Sequence, residues 1–232
     1  MTRQDEIRAG LAHVRERITR SALAADRDPD HVTLVVVTKF FPASDVRILR
    51  DLGVREVGEN RHQEAEAKAA ELADLDLVWH FIGNLQSNKA AAVALYADVV
   101  ESVDRGKLLN GLSRGAHQHD RTLDCLVQVD LDPQPHGGRG GAAPADLAAL
   151  CDAVEAAEGL RLRGLMAVAP PEEEPAEAFA RLADLARDVR RTHPRATWLS
   201  AGMSGDLEQA VNAGATHVRV GSAVLGERPR NR

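Results

Sequence analysis

Cysteine is scarce in this chain: Cys125 and Cys151 are the two thiols in 232 residues, with no CxxC and no repeated Cys/His spacing. That shortage argues against a disulfide framework and a structural zinc site, and it fits a reducing, cytoplasmic setting. Long apolar runs are missing too. None approaches the ~20 residues of a membrane span, and the charged opening MTRQDEIRAGLAHVRER lacks the apolar stretch of a signal peptide. Nor is there a surplus of positive charge. With 29 Lys and Arg against 35 Asp and Glu, the net charge is −6, so no broad field attracts a phosphate backbone or an anionic membrane. Neither nucleic acid nor membrane is expected as a partner, and a monomer is the default.

What is present is enough apolar material for a continuous core, at 44% hydrophobic residues, arranged in a repeating pattern. Ile7, Leu11, Val14 and Ile18 recur at helical spacing behind a Thr2–Asp5 capping pair, which predicts an amphipathic helix over 3–25. From Thr33 onward, short β-branched runs alternate with Ala- and Leu-rich helical stretches. Eight strands are expected, at 33–39, 54–59, 77–83, 98–103, 123–131, 161–168, 197–202 and 217–222. Helical patterns lie at 44–52, 61–72, 86–96, 145–158, 177–191 and 205–213. The 200 residues from Thr33 onward give 25 to each of eight units, which is about one strand, one helix and two short loops. The expected fold is therefore a single α/β domain over 1–232, a (β/α)8 TIM-type barrel with the extra N-terminal helix packed on it. An open doubly wound sheet is the alternative, but it calls for a glycine-rich turn after the first strand, where this chain has TKFFP.

In such a barrel the chemistry gathers where strands end at the C-terminal face. The first strand delivers Lys39, directly after a β-branched run, either as a functional amine or as a lysine reaching solvent. The second delivers Glu59 and Asn60. The third delivers His80, Gly83 and Asn84. The asparagines serve as ordinary helix caps unless a ligand claims them. His80, between Trp79 and Phe81, faces opposite to both and by default is a satisfied buried histidine. Glu101, Gln128, Asp130 and Asp132 follow from the fourth and fifth strands, with Asp130–Asp132 read as a turn before Pro133. No metal site is expected, and His117–Asp120 is taken as a polar connection. After the last two strands come SAGMSGD (Ser200–Asp206) and VRVGSA (Val218–Ala223), which join small residues and hydroxyls to helix starts. Helix N-termini of this kind hold phosphate with ~0.3 to 2 kcal/mol per dipole. Taken singly, Ser204 and Ser222 are N-caps; taken together they favour a phosphate. A lysine and a phosphate cradle in one barrel mouth point to an aldehyde-bearing phosphate cofactor or a phosphorylated carbonyl substrate. Imine formation needs the neutral amine, well below the ordinary lysine value of ~10.4. Burial and a nearby cation such as Arg219 push in that direction.

The blocks VVVTKFFP, VGENRHQEAEAK, WHFIGNLQSNK, GLMAV and LSAGMSGDLEQAVNAGATHVRVGSAVLGER, spread from Leu34 to Arg228, resemble the YggS/PROSC family of pyridoxal phosphate homeostasis proteins. The resemblance implies a barrel like the alanine racemase N-terminal domain, with pyridoxal 5'-phosphate (PLP) held as a Schiff base on Lys39. It places the phosphate on Ser204, Gly221 and Ser222, Arg219 at the pyridine nitrogen, and Asn60, His80, Ser200 and Met203 around the pocket. It also implies storage or delivery of PLP, with PLP-dependent apo-enzymes as recipients. A permanently charged guanidinium donates to the ring nitrogen but cannot stabilise its protonated form, which discourages carbanion chemistry. Two departures stand out. The family's Lys-x-Gly loop after the fifth strand is replaced by HGGRGGA (His136–Ala142), where Arg139 is the candidate substitute, and Ala201 stands where a Met is common.

Two rival readings are enzymatic. An amino-acid racemase needs a tyrosine base opposite Lys39, and the single tyrosine, Tyr96, falls in a helical stretch away from the mouth. A Schiff-base aldolase acting on a sugar phosphate would pair Lys39 with Glu59, Glu101 or Asp130, whose spacing does not favour it.

Overall fold

The computed structural model describes residues 1–132 and 140–227. Eight parallel strands run in chain order: β1 (Thr33–Val37), β2 (Glu56–Glu59), β3 (Val78–Phe81), β4 (Val99–Val103), β5 (Leu123–Gln128), β6 (Leu160–Met166), β7 (Trp198–Ser200) and β8 (His217–Val220). Each pairs with the next, and β8 pairs with β1 from Thr33 opposite His217 to Val36 opposite Val220. That last pairing closes the barrel and rules out the open sheet. β2 and β4 end where expected, and the other six regular strands stop two or three residues short, because the residues beyond them leave the ladder to build the mouth. Lys39 is one of these.

The helices are α1 (Arg3–Ala24), α2 (Ala43–Asp51), α3 (His62–Glu71), α4 (Ala90–Tyr96), α5 (Leu109–Gln118), α6 (Leu147–Ala156), α7 (Pro175–Thr192), α8 (Leu207–Asn212) and α9 (Ser222–Leu225). Among the described residues no helix is long and apolar enough to cross a membrane. Strand alternation divides the apolar residues in two. Trp79, Phe81, Val100, Cys125, Val127, Leu165 and Leu199 face the helices in the main core. Val99, Leu126 and Met166, with Val78 and Trp198 against them, form a separate small cluster inside the barrel.

The N-terminal helix has the expected capping box between Thr2 and Asp5, and its stripe of Ile7, Leu11, Val14 and Ile18 is buried. It packs on α8 and α9, the helices that follow the last two strands. The approach is close: a Cβ on Gly10 would lie 2.5 Å from the Val224 carbonyl oxygen. Arg3 donates to the Leu225 carbonyl at 2.9 Å, and Arg17 to the Ser204 carbonyl at 3.0 Å. One helix therefore contacts the Ser204 turn directly and holds the short helix that follows the Gly221 turn.

One helix is absent from the sequence expectation. α5 contains Gly111 and Gly115, which weaken the helical signal by about 1 kcal/mol each. Packing explains them. Cβ atoms there would sit 2.7 Å from the Ala90 and Ala94 methyl groups, and at Gly115 also 2.5 Å from the Ala91 carbonyl oxygen, so α4 and α5 meet backbone to backbone. Gly115→Val is expected to force this seam apart at a cost of about 1–3 kcal/mol. Thermal unfolding should register a drop of several degrees; an unchanged midpoint would show that α4 yields freely.

Candidate functional site

At the C-terminal mouth of the barrel, a cleft of about 270 Å³ is lined by Lys39, Met203, Ser204, Arg219, Gly221 and Ser222, with Val37, Phe41 and Ile82 as its apolar wall. The turns after β1, β7 and β8 meet here because closure of the barrel makes the first and last strands neighbours.

The lysine turn is held under tension. Thr38 still bonds the β2 ladder, its N–H donating to the Gly58 carbonyl at 2.9 Å, after which Phe40 takes φ +71°. A bulky residue in the left-handed region costs about 1–3 kcal/mol and persists only when its surroundings fix it. Here α3 does so. Glu64 accepts the Phe40 N–H at 2.6 Å, and Lys68 donates to the Thr38 carbonyl at 2.7 Å. Lys68 also donates to Glu59 at 2.7 Å and Glu64 at 2.8 Å, while the Thr38 hydroxyl donates to Glu59 at 2.6 Å. The Arg61 guanidinium lies over the Phe40 ring, 4.8 Å from its centroid. Lys39 is half-buried at the apex of this clamped turn. Burial pushes the Glu59 carboxyl above its ordinary value, against the pull of Lys68 and Thr38.

On the opposite wall the Ser222 hydroxyl donates to Ser204 Oγ at 3.4 Å, so two hydroxyls from different turns converge. Gly202, at φ +91°, makes the bend that carries Met203 and Ser204 to the mouth. A Cβ on Gly221 would come within 3.1 Å of the Val37 carbonyl oxygen, so this turn rests directly on the strand that leads to Lys39. The helices beyond these turns are short, six residues in α8 and four in α9. Their dipoles add less than full-length helices would, and the hydroxyls and free backbone N–H groups of the turns matter more.

Arg219 forms the floor. It is buried, donates from Nη1 to Ser200 Oγ at 2.6 Å and from Nη2 to the Ala167 carbonyl at 2.9 Å. Below it a polar chain crosses the lumen. The Ser200 hydroxyl donates to Glu101 Oε2 at 2.6 Å, His80 Nδ1 meets Glu101 Oε1 at 2.7 Å, and His80 Nε2 meets Glu56 Oε2 at 2.8 Å. Burial alone would lower the His80 value, but hydrogen bonds to Glu101 and Glu56 overcome it and push it up to about 9. Burial likewise opposes ionisation of Glu101, yet His80 and Arg219 bring it down to about 2. His217, buried beside Trp198, is lowered to about 4, chiefly by burial.

The expected pocket residues thus separate. Lys39, Met203, Ser204, Arg219, Gly221 and Ser222 line one cleft. His80 and Ser200 do not line it; they lie beneath Arg219, and His80 is the satisfied buried histidine that alternation suggests. Asn60 faces a neighbouring cleft of about 480 Å³ with Arg61, Asn84 and Lys89. Tyr96, at the end of α4, stacks against His62, away from the lysine. The Asp132 N–H donates to Asp130 Oδ1 at 3.0 Å, the local turn expected there. Of the His136–Ala142 loop, His136–Arg139 lie outside the described residues, as does the 228–232 tail. Sequence reasoning missed Lys68 and Glu64, although their i, i+4 spacing on α3 is the signal of a helical ion pair.

Comparison with known proteins now decides the family. Residues 10–229 match the family described as alanine racemase, N-terminal domain. The pyridoxal phosphate homeostasis protein of Pseudomonas aeruginosa is 45% identical over 225 residues, covering 96% of each chain. That of Mycobacterium tuberculosis is 43% identical over 245 residues, covering 97% of this chain and 94% of the relative. This chain belongs to the pyridoxal phosphate homeostasis protein family. A solved structure of PipY from Synechococcus elongatus, with PLP bound, superposes with a TM-score of 0.82 at 38% identity, covering 95% of this chain and all of that one.

Two measurements probe the architecture that this homeostasis-family barrel builds around its mouth. Lys68→Ala leaves Glu59 buried without its cation, an expected loss of about 3–5 kcal/mol in urea unfolding; a loss under about 1 kcal/mol would mean that the clamp does not depend on the ion pair. Stability should also peak near pH 6.5. The His80 value is raised from 6.5 to about 9, so its contribution is complete below pH 6.5 and is lost as pH climbs through 9. The His217 value is lowered from 6.5 to about 4, so its contribution holds above pH 6.5 and is lost as pH falls towards 4. Each flank is worth on the order of 3 kcal/mol. A flat unfolding profile between pH 6.5 and 9 would show that His80 is not ion-paired.

Proposed function

We propose that this chain binds PLP at the barrel mouth, with Lys39 as the covalent anchor, Ser204, Gly221 and Ser222 around the phosphate, Met203 at the cleft wall and Arg219 at the ring nitrogen. It serves PLP homeostasis as a carrier, not as an enzyme in its own right. The observation that carries this reading is the meeting, in one small cleft, of an amine, two converging hydroxyls and a buried guanidinium. The homeostasis proteins among its relatives and the PLP-bound PipY structure support it.

The donor set fits the cofactor. An anionic end is met by hydroxyl donors on turns where glycine allows close backbone approach, and the apolar wall of Val37, Phe41 and Ile82 suits a flat ring. When bound, PLP supplies an aldehyde that condenses with a primary amine and a ring able to withdraw electrons. The chain's own residues then set the limits. The clamped turn holds Lys39 at the rim after β1, and Ser204, Gly221 and Ser222, on the turns after β7 and β8, would hold the anion. Arg219 is a donor without a proton to give up, so it contacts a ring nitrogen without letting that nitrogen stay protonated. The electron sink is correspondingly weak, which suits holding the cofactor over transforming substrates.

The enzymatic alternatives find little support. Among the described residues no carboxylate and no tyrosine lines the cleft with Lys39. Glu59 is engaged by Lys68 and Glu101 by His80. Burial raises the Tyr96 hydroxyl above its ordinary value, which makes it a poor base, and it stands elsewhere. We infer a cytoplasmic, monomeric carrier that passes PLP to apo-enzymes.

Borohydride reduction of the protein incubated with PLP, followed by peptide mass analysis, should place the adduct on Lys39. Lys39→Ala should lose the visible absorption band and the adduct while retaining weaker, non-covalent binding through Ser204 and Ser222. A reducible adduct at full yield in that variant would refute the assignment.

A further inference from the structure

We propose that Glu101 is the residue that positions Arg219 against the bound ring, and that His80 and Glu56 hold Glu101 in place from the floor of the barrel. The inference rests on the cofactor reading above and adds to it a relay of side chains, none of which touches the cleft. A guanidinium is a rigid fork of five N–H donors, so anchoring two of them sets the plane and the direction of the rest. In Arg219 the two anchors are Ser200 Oγ and the Ala167 carbonyl, and Ser200 is itself turned by its donation to Glu101. Glu101 Oε2 also lies 3.7 Å from Arg219 Nη1, so the carboxylate holds the guanidinium by charge as well as through the hydroxyl.

Glu101 cannot do this unaided, because a lone carboxylate with 1% side-chain exposure is costly to ionise. His80 supplies its cation, and Glu56, 30% exposed at the opposite end of the barrel, supplies the counter-charge for His80. The order across the lumen is therefore anion, cation, anion, cation: Glu56, His80, Glu101, Arg219. The other titratable groups near His80 are His217, whose ring centre is 6.2 Å away, and Arg163, which stacks on Trp198 beside His217. Neither hydrogen-bonds to Glu101, so the alternation is not short-circuited.

A role confined to packing would lower stability without moving the charge presented to the ring. The deciding measurement is the pH titration of the visible absorption band in full-length, PLP-loaded protein. Asp206 is the second anion that acts on Arg219, more weakly than Glu101. With Glu101→Gln, Arg219 loses the stronger of the two and the midpoint should fall by about one pH unit, a tenfold change in proton affinity. In an Arg219→Gln background the same substitution should add no further shift, the non-additivity that marks action through Arg219. In protein without PLP, ¹⁵N NMR should find His80 doubly protonated up to about pH 9 in the wild type, and titrating at clearly lower pH in Glu101→Gln. Should Glu101→Gln fail to fold, Ser200→Ala, which removes only the bridging hydroxyl, should shift the band in the same direction by a smaller amount. A wild-type band with Glu101→Gln or Ser200→Ala titrating at the wild-type pH, or equal shifts with and without Arg219, overturns the inference alone. A wild type with no visible band at any pH overturns the cofactor reading and the inference together.

Discussion

Everything at the mouth depends on the pairing of β8 with β1. Until those strands join, Lys39 and Ser222 belong to opposite ends of the polypeptide; once Val36 lies opposite Val220, the turns that follow each strand share a wall. Gly221 packs against the Val37 carbonyl, where a Cβ would come within 3.1 Å of the oxygen and need a few tenths of an ångström of give. The N-terminal helix reinforces the closure. Arg17 donates to the Ser204 carbonyl in the turn after β7, and Arg3 to the Leu225 carbonyl at the end of α9, so the first helix ties down both segments that follow the last two strands.

Closure also creates a lumen, and this lumen holds a chain of charge alongside a small apolar cluster. Burying Glu101, His80 and Arg219 together is tolerable because each ion is within hydrogen-bonding reach of an opposite charge or of a hydroxyl that links to one. Such a chain is a poor source of net stability but a strict source of geometry, since no member can reorient without stranding its neighbour. A second buried set, Lys68 with Glu59 and Glu64, works the same way outside the barrel wall and keeps the turn at Phe40 in its unfavourable conformation. The two networks brace the two sides of one cleft: one holds the amine, the other the guanidinium.

Much of this was legible in the chain. Strand and helix periodicity is local, so the eight units and the N-terminal helix could be read from spacing, and the lysine, serine and arginine positions followed from where the strands end. α5 was not legible because its glycines lower helix propensity for the sake of a contact with α4 that only packing reveals. That His80 and Ser200 lie beneath Arg219 was not legible, because alternation tells which face a residue takes and not how deep it lies below the mouth. Lys68 carries a helical-pair signal with Glu64, yet its third partner, the Thr38 carbonyl, is a backbone atom on another element and leaves no trace in residue identity.

By itself, then, the sequence determined the repeating strand–helix pattern, the capped first helix and the residue types offered at each strand end, since these depend on neighbours within a few positions. Tertiary structure alone decided which of those residues share a cleft, which ions pair across the lumen, and that Phe40 must carry strain. Each of these depends on distances between segments far apart in the chain, and those distances exist only after the barrel has closed.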